Sequence, residues 1–190
     1  MLHTVPQVKR HTFTTSEYDA MTLAGVFGED DRLELIEGEI LEMSPIGSDH
    51  AGIVNRLTWL LIQRLGARAI VATQNPIRIG EHSEPQPDVV VAKFRKDFYR
   101  NSHPTPSDVL LVVEIADTTL AIDRDVKVPL YASAGIAEVW LINLEASSIE
   151  IYCKPEGGLY REKRIARGGE MLTLSAFSNV ALNVMEILNV

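Results

Sequence analysis

The sequence predicts a single α/β domain in which a mixed sheet is flanked by helices. Three observations carry this. Val109–Ala116 is a near-continuous apolar run, the pattern of a central strand covered on both faces. Ile53, Val54, Leu57, Leu60, Leu61 and Leu65 recur with a 3.6-residue period, the stripe of a helix packed by one face on a sheet. Between Asp117 and Gly135 the period turns helical before another apolar run at Glu138–Asn143, giving the order strand, helix, strand. A chain of 190 residues with 46% hydrophobic content supports one substantial core, so residues 1–190 form one domain with its core at about 48–153.

Charge and cysteine content narrow the setting. Lys and Arg number 18 against 26 Asp and Glu, a formal charge of −8 that opposes non-specific attraction to nucleic acid or anionic membrane. Any nucleic-acid partner must therefore be met locally. Cys153 is the one cysteine, so an intrachain disulfide is excluded and a reducing compartment is the natural setting. Residues 1–10 lack an apolar leader core, and no uncharged apolar run reaches the roughly 18 residues of a membrane span. A soluble, cytoplasmic protein is the expectation.

Taken in order, Thr14, Thr15 and Ser16 offer caps to a helix with Tyr18, Met21, Leu23 and Val26 on one side and Gly28 as its stop. Arg32–Ile36 and Glu39–Met43 alternate around Glu37-Gly38 and read as a hairpin, with Leu33, Leu35, Ile40 and Met43 inward and Glu34 and Glu42 facing solvent. Ser48 or Asp49 caps the striped helix, which Gly66 ends; His50 leans toward its buried side, where a hydrogen-bonded structural histidine is favoured over a catalytic one. Ala69–Ala72 and Pro76–Ile79 are short strand candidates, the second an edge or hairpin return because Pro76 has no N–H for a ladder. The prolines at 85 and 87 aim the chain into the strand opened by Asp88, and His82 with Glu84 is too weak a pattern to argue a metal site.

Lys93–Arg100 interleaves Lys93, Arg95, Lys96 and Arg100 with aromatics, so it is the best local candidate for a phosphodiester backbone, against the simpler reading of a solvated loop. Asp123 and Asp125 are cap candidates for a helix through Val126, Leu130, Tyr131 and Ala134 that Gly135 closes. Pro129 is tolerated near a first turn, which places the start around Asp125 and Lys127 in that turn. The helix dipole disfavours a cation there by roughly 0.3–1 kcal/mol, so an anion should sit beside Lys127. Glu138–Asn143 and Ser148–Cys153 are strands, Pro155–Gly158 turns into Leu159–Ile165 as a C-terminal β-hairpin addition, and Asn183 caps a last helix through Leu188.

Asp88 and Glu114 stand out because each sits at the end of an apolar strand. Such carboxylates must be paired, hydrated or metal-bound, since burying an uncompensated charge costs several kcal/mol. Two carboxylates brought together suit Mg²⁺ or Mn²⁺, which take oxygen ligands, keep waters and bridge to phosphates. A nearby lysine would orient or help deprotonate the attacking water and offset charge on the phosphorane.

The pattern of Asp88 after proline and Glu114 on a core strand resembles the PD-(D/E)XK nuclease superfamily, the restriction-endonuclease-like fold. The segments Glu34–Glu39, Pro87–Val91, Val113–Asp117 and Asp123–Lys127, with Tyr131 and Gly135, are similar to the bacterial Uma-two family of endonucleases, over roughly residues 33–152. The superfamily lysine stands two residues after the strand glutamate, and that position here is Ala116. Similar family members supply the lysine from the following helix, which points to Lys127. The resemblance thus implies Asp88 and Glu114 as metal ligands and Lys127 as the relocated lysine, with Glu37, His50 and Gln86 in second rank. It implies metal-dependent cleavage of DNA by a homodimer. The competing reading is a non-cleaving nucleic-acid-binding or assembly module on the same fold, favoured by the acidic charge and by Ala116.

Overall fold

The computed structural model describes residues 10–28 and 30–188. Its centre is a six-stranded mixed sheet in the order β3-β4-β5-β6-β7-β8, formed by β3 (Ala69–Thr73), β4 (Val89–Lys93), β5 (Val109–Ala116), β6 (Glu138–Asn143), β7 (Ser148–Glu156) and β8 (Leu159–Arg167). Every neighbouring pair is antiparallel except β5–β6. Parallel strands need a crossover, and here it is a helical rod over residues 120–133. That rod lies over the face carrying Val90, Val112, Val139 and Leu141.

The opposite face, with Val89, Val91, Leu111, Val113, Trp140 and Ile142, is covered by α2 (Ser48–Leu65) and by a C-terminal unit. This unit consists of β9 (Met171–Leu174), β10 (Phe177–Asn183) and α5 (Val184–Leu188). The α2 stripe is as expected: Val54, Leu57, Leu60, Leu61 and Leu65 are buried. Asn183 does cap α5, its Oδ1 accepting the Met185 N–H at 2.8 Å. The anticipated C-terminal hairpin is β7–β8, which continues the main sheet, whereas β9–β10 went unforeseen because Gly168-Gly169 and short polar runs hide two strands with only alternate residues buried.

Three local expectations are corrected. The first helix, α1 (Thr15–Leu23), has the Thr14–Glu17 capping box but ends at Ala24, with Gly25 at φ +70° rather than Gly28 making the exit. Leu23 and Val26 are therefore 89% and 62% exposed. Pro76–Ile79 forms no extended strand: the Ile77 and Ile79 amides return to the Pro85 and Ser83 carbonyls of the next few residues, with a single antiparallel bridge at Ile79–Ser83, while Arg78 bonds the Pro104 carbonyl on the other side. The cap of α2 is Gly47, without a side-chain bond from Ser48 or Asp49.

The hairpin of β1 (Leu33–Ile36) and β2 (Glu39–Glu42) packs on the crossover side of the sheet. Glu37 and Gly38 have φ of +49° and +82°, the pair of left-handed residues a two-residue hairpin turn requires. Gly38 is further clamped: its carbonyl accepts the Phe13 N–H, its own N–H reaches the His82 carbonyl, and an added Cβ would stand 2.7 Å from Thr12 Cβ. Leu35 and Glu84 exchange backbone hydrogen bonds, tying β1 to the segment leading into Asp88. Gly38→Ala is expected to lower unfolding free energy by about 1–3 kcal/mol through backbone strain and this clash, measured by denaturant titration.

Candidate active site

Strand register brings the two carboxylates together. β4 pairs with β5 so that Val89 faces Val113, which sets Asp88 beside Glu114 at one end of the two strands. Asp88 is 8% exposed, and its Oδ2 accepts the Ile115 N–H at 2.9 Å and His50 Nε2–H at 3.0 Å. A carboxylate only accepts, so Nε2 carries the proton and His50 Nδ1 is left buried without a partner. Glu114 is 2% exposed, and its Oε1 accepts the Tyr131 O–H at 2.6 Å.

Lys127 reaches this pair from the crossover. Its Nζ lies 3.0 Å from Glu34 Oε2, 3.5 Å from Glu114 Oε1 and 3.9 Å from Asp123 Oδ1. The first-turn placement expected from Pro129 is corrected. The helical rod begins as α3 (Leu120–Ile122), widens into a π turn (Asp123–Lys127) and continues as α4 (Val128–Ser133), so Lys127 lies in mid-helix. The Val128 N–H bonds the Asp123 carbonyl five residues back. A wide turn here relieves the clash between the Pro129 ring and the carbonyl of Asp125, which a regular helix would impose. The anions beside Lys127 therefore answer burial and not a helix dipole. Asp123 and Asp125 are not caps: Asp123 is buried and takes the Thr119 O–H at 2.6 Å, and Asp125 is exposed.

Glu34 and Asp123 complete a group that the sequence alone did not assemble. Glu34 was expected in solvent from alternation, yet it is 5% exposed, with Leu35 at 0% beside it. β1 is covered on both sides, so alternation along it carried no information about which residue faces water. Besides Lys127, Glu34 Oε2 accepts the Gln86 N–H at 3.2 Å. For Asp123 a signal existed: it stands four residues before Lys127, the spacing of helical ion pairs.

The second-rank candidates divide. His50 is in the site through Asp88. Gln86 borders it, its Nε2–H donating to the Leu33 carbonyl at 3.3 Å. Glu37 is not brought in; it lies exposed in the hairpin turn. Nor are Lys93, Arg95, Lys96 and Arg100, which follow the far end of β4, about 17 Å of strand from Asp88. Arg95 pairs with Asp97 at 2.6 Å and stacks over Tyr99, while Phe94 and Phe98 are 50% and 67% exposed.

Burial raises the Glu114 carboxyl well above its ordinary range, against the attraction of Lys127, with Asp123, Asp88 and Glu34 adding to the rise. Asp123 is raised for the same reason, opposed by Lys127 and the Thr119 hydroxyl. Burial alone would depress the Lys127 ammonium, but Glu114, Glu34 and Asp123 outweigh it and hold the group above its usual value. It is an ammonium throughout the neutral range. The hydrogen bond to Asp88 raises His50 despite burial.

The π turn is also held from the other side. Arg124 bonds Glu150 Oε1 on β7 at 2.6 Å, and Glu150 further takes Lys163 at 2.9 Å and the Tyr152 hydroxyl. Burial pushes the Glu150 carboxyl up, but hydrogen bonds from Arg124, Tyr152 and Lys163 prevail and bring it to about 2.

Glu34, His50, Gln86, Asp88, Glu114, Asp123 and Lys127 line an open cleft of about 210 Å³, bounded by the hairpin, the start of α2 and the segment after β5. Glu34, Glu114 and Asp123 surround one ammonium and Asp88 lines the same cleft, an all-oxygen set with excess negative charge, which fits a hard divalent cation. No trio of His, Cys, Asp or Glu among the described residues already stands at ligating spacing, so waters and substrate oxygens would complete any coordination.

Residues 15–185 match the sequence model of the Uma2 family, described as "Putative restriction endonuclease". Among solved structures, the chain is similar to a "putative nuclease belonging to DUF820" from Anabaena variabilis, with a TM-score of 0.71, 15% identity, and 93% of this chain and 98% of that chain covered. At that identity the likeness shows the fold. No curated protein matches the sequence.

Lys127→Met should destabilise the metal-free protein at neutral pH by about 3–5 kcal/mol, read from urea unfolding, because it strands Glu34, Glu114 and Asp123 as buried charges. A second expectation concerns acid. Because Glu150 is depressed when folded, its contribution is complete above the ordinary carboxylate range and is lost as pH falls toward about 2. Thermal melts of Glu150→Gln across that interval should show a flatter fall in stability than the wild type.

Proposed function

Since the chain belongs to the Uma2 family, we propose that it is a Mg²⁺- or Mn²⁺-dependent endonuclease that hydrolyses phosphodiester bonds in DNA, with Asp88, Glu114 and Lys127 as its catalytic residues. The observation that carries this is the meeting of Asp88 and Glu114 on adjacent strands with the Lys127 ammonium 3.5 Å from Glu114, although Ala116 occupies the position two residues after the glutamate. The lysine arrives from a different element at the same carboxylate.

Asp88 and Glu114 are the residues that would hold the metal. When bound, a divalent cation there lowers the pKa of water and offsets charge on the phosphoryl oxygens. Hydrolysis joins a water oxygen to phosphorus, breaks the bond to the leaving oxygen and moves a proton from the one to the other. His50 and the Ile115 amide occupy Asp88 Oδ2, which fixes the carboxylate and leaves Oδ1 for a ligand. Lys127 is held as an ammonium by three carboxylates, so it serves as a fixed positive charge that positions water and phosphate, and not as the base. Glu34 and Asp123 are positioning residues for that ammonium, and the Tyr131 hydroxyl orients Glu114.

The same reading takes the active form to be a homodimer in the cytoplasm, following the family resemblance and the cysteine content. No helix among the described residues is long and apolar enough to cross a membrane. Supercoiled plasmid incubated with the protein and Mg²⁺ or Mn²⁺ should be nicked and linearised, and chelation should stop it. Asp88→Ala and Glu114→Ala should each slow cleavage by at least about 100-fold. Undiminished cleavage by both variants would sink this site.

A further inference from the structure

The cleft is acidic, yet its substrate on the endonuclease reading is a polyanion, so the few cations lining it decide how that polyanion is gripped. Two Lys or Arg side chains line the cleft, Arg32 and Lys127. Lys127 is already surrounded by Glu34, Glu114 and Asp123. Arg32 makes no ion pair within 4.0 Å among the described residues, and its one hydrogen bond there runs from Nη1–H to the Ser44 carbonyl at 3.0 Å. Most of its five N–H donors are uncommitted. By contrast, the partly buried Arg78, Arg95 and Arg124 are each paired with a carboxylate.

Its placement is set by the hairpin. The Arg32 carbonyl accepts the Met43 N–H at 2.8 Å, continuing the β1–β2 ladder by one step. Residues two apart on a strand project to the same side, roughly 6.6 Å apart, so Arg32 stands one step along the strand from Glu34. Glu34 in turn holds Lys127. The guanidinium thus lines the same cleft as the carboxylate cluster without being paired into it among the described residues.

We infer that Arg32 is a substrate-binding residue that clamps a backbone phosphate flanking the scissile one. A planar guanidinium grips a phosphate through two parallel N–H bonds, which suits a group that must hold register without reading sequence. This rests on the endonuclease reading and adds the contact by which the acidic cleft retains DNA.

The test measures binding of a fluorescent DNA duplex by anisotropy, with Ca²⁺ replacing Mg²⁺, over a series of salt concentrations. Arg32→Gln should weaken binding about tenfold and reduce the slope of log K against log salt by about one, as expected for one lost phosphate contact. Arg32→Lys should keep the slope with intermediate affinity, since it retains charge without the fork. Arg167→Gln, which removes the same charge from exposed β8 away from the cleft, should leave both unchanged. Circular dichroism of each variant verifies folding. If the wild type binds duplex and Arg32→Gln binds equally well, or Arg167→Gln loses as much, the Arg32 assignment falls alone. If the wild type binds no DNA, the endonuclease reading falls and takes Arg32 with it.

Discussion

One ammonium among three buried carboxylates governs this structure. Lys127, Glu34, Glu114 and Asp123 are each no more than 5% exposed, and they come from three separate places in the fold: the π turn, which supplies both Lys127 and Asp123, the hairpin and the central strand. Desolvating any of them alone would cost several kcal/mol or force it neutral. They are stable only together. The hairpin must therefore dock where it does, the crossover must lie on the same face of the sheet, and β4 and β5 must keep their register. A local requirement for charge balance becomes a constraint on how four elements assemble.

Much of the site's framework could be read from residue order. Two apolar strands ending in acids, with a helix between the second and a parallel partner, already put Asp88 and Glu114 side by side. Lys127 was reached through likeness to a family; the first-turn dipole argument was wrong about the helix and right about the anions. Burial on both sides of β1 erased the alternation that would have distinguished Glu34 from Leu35. The π turn left no mark that a period count detects, because the helical pieces on either side, Leu120–Ile122 and Val128–Ser133, are too short to fix a phase of their own. Pro129 was the visible symptom, and a regular helix start was its simpler explanation.

The distribution of charge bears on how an acidic chain would accommodate the proposed phosphate substrate. The basic, aromatic stretch after β4 is a self-contained turn: Arg95 is engaged by Asp97 and Tyr99, and the run lies at the opposite end of its strand from Asp88. Positive charge at the cleft is sparse and placed singly. An acidic wall repels a polyanion until a divalent ion lowers its charge, so binding of substrate and of metal would be coupled through electrostatics alone.

The wide turn at Asp123–Lys127 also divides the crossover helix into two parts with separate phases. An α-helix advances about 100° per residue, so one added residue rotates everything after it by about that angle. Ahead of the insertion, the helix is oriented by what faces the cleft; after it, by Val128, Leu130 and Tyr131 packed on the sheet. The two parts of a single element are thereby phased separately, with Tyr131 on the far part still reaching Glu114. The helix works like a shaft with an offset joint, each end answering to its own bearing.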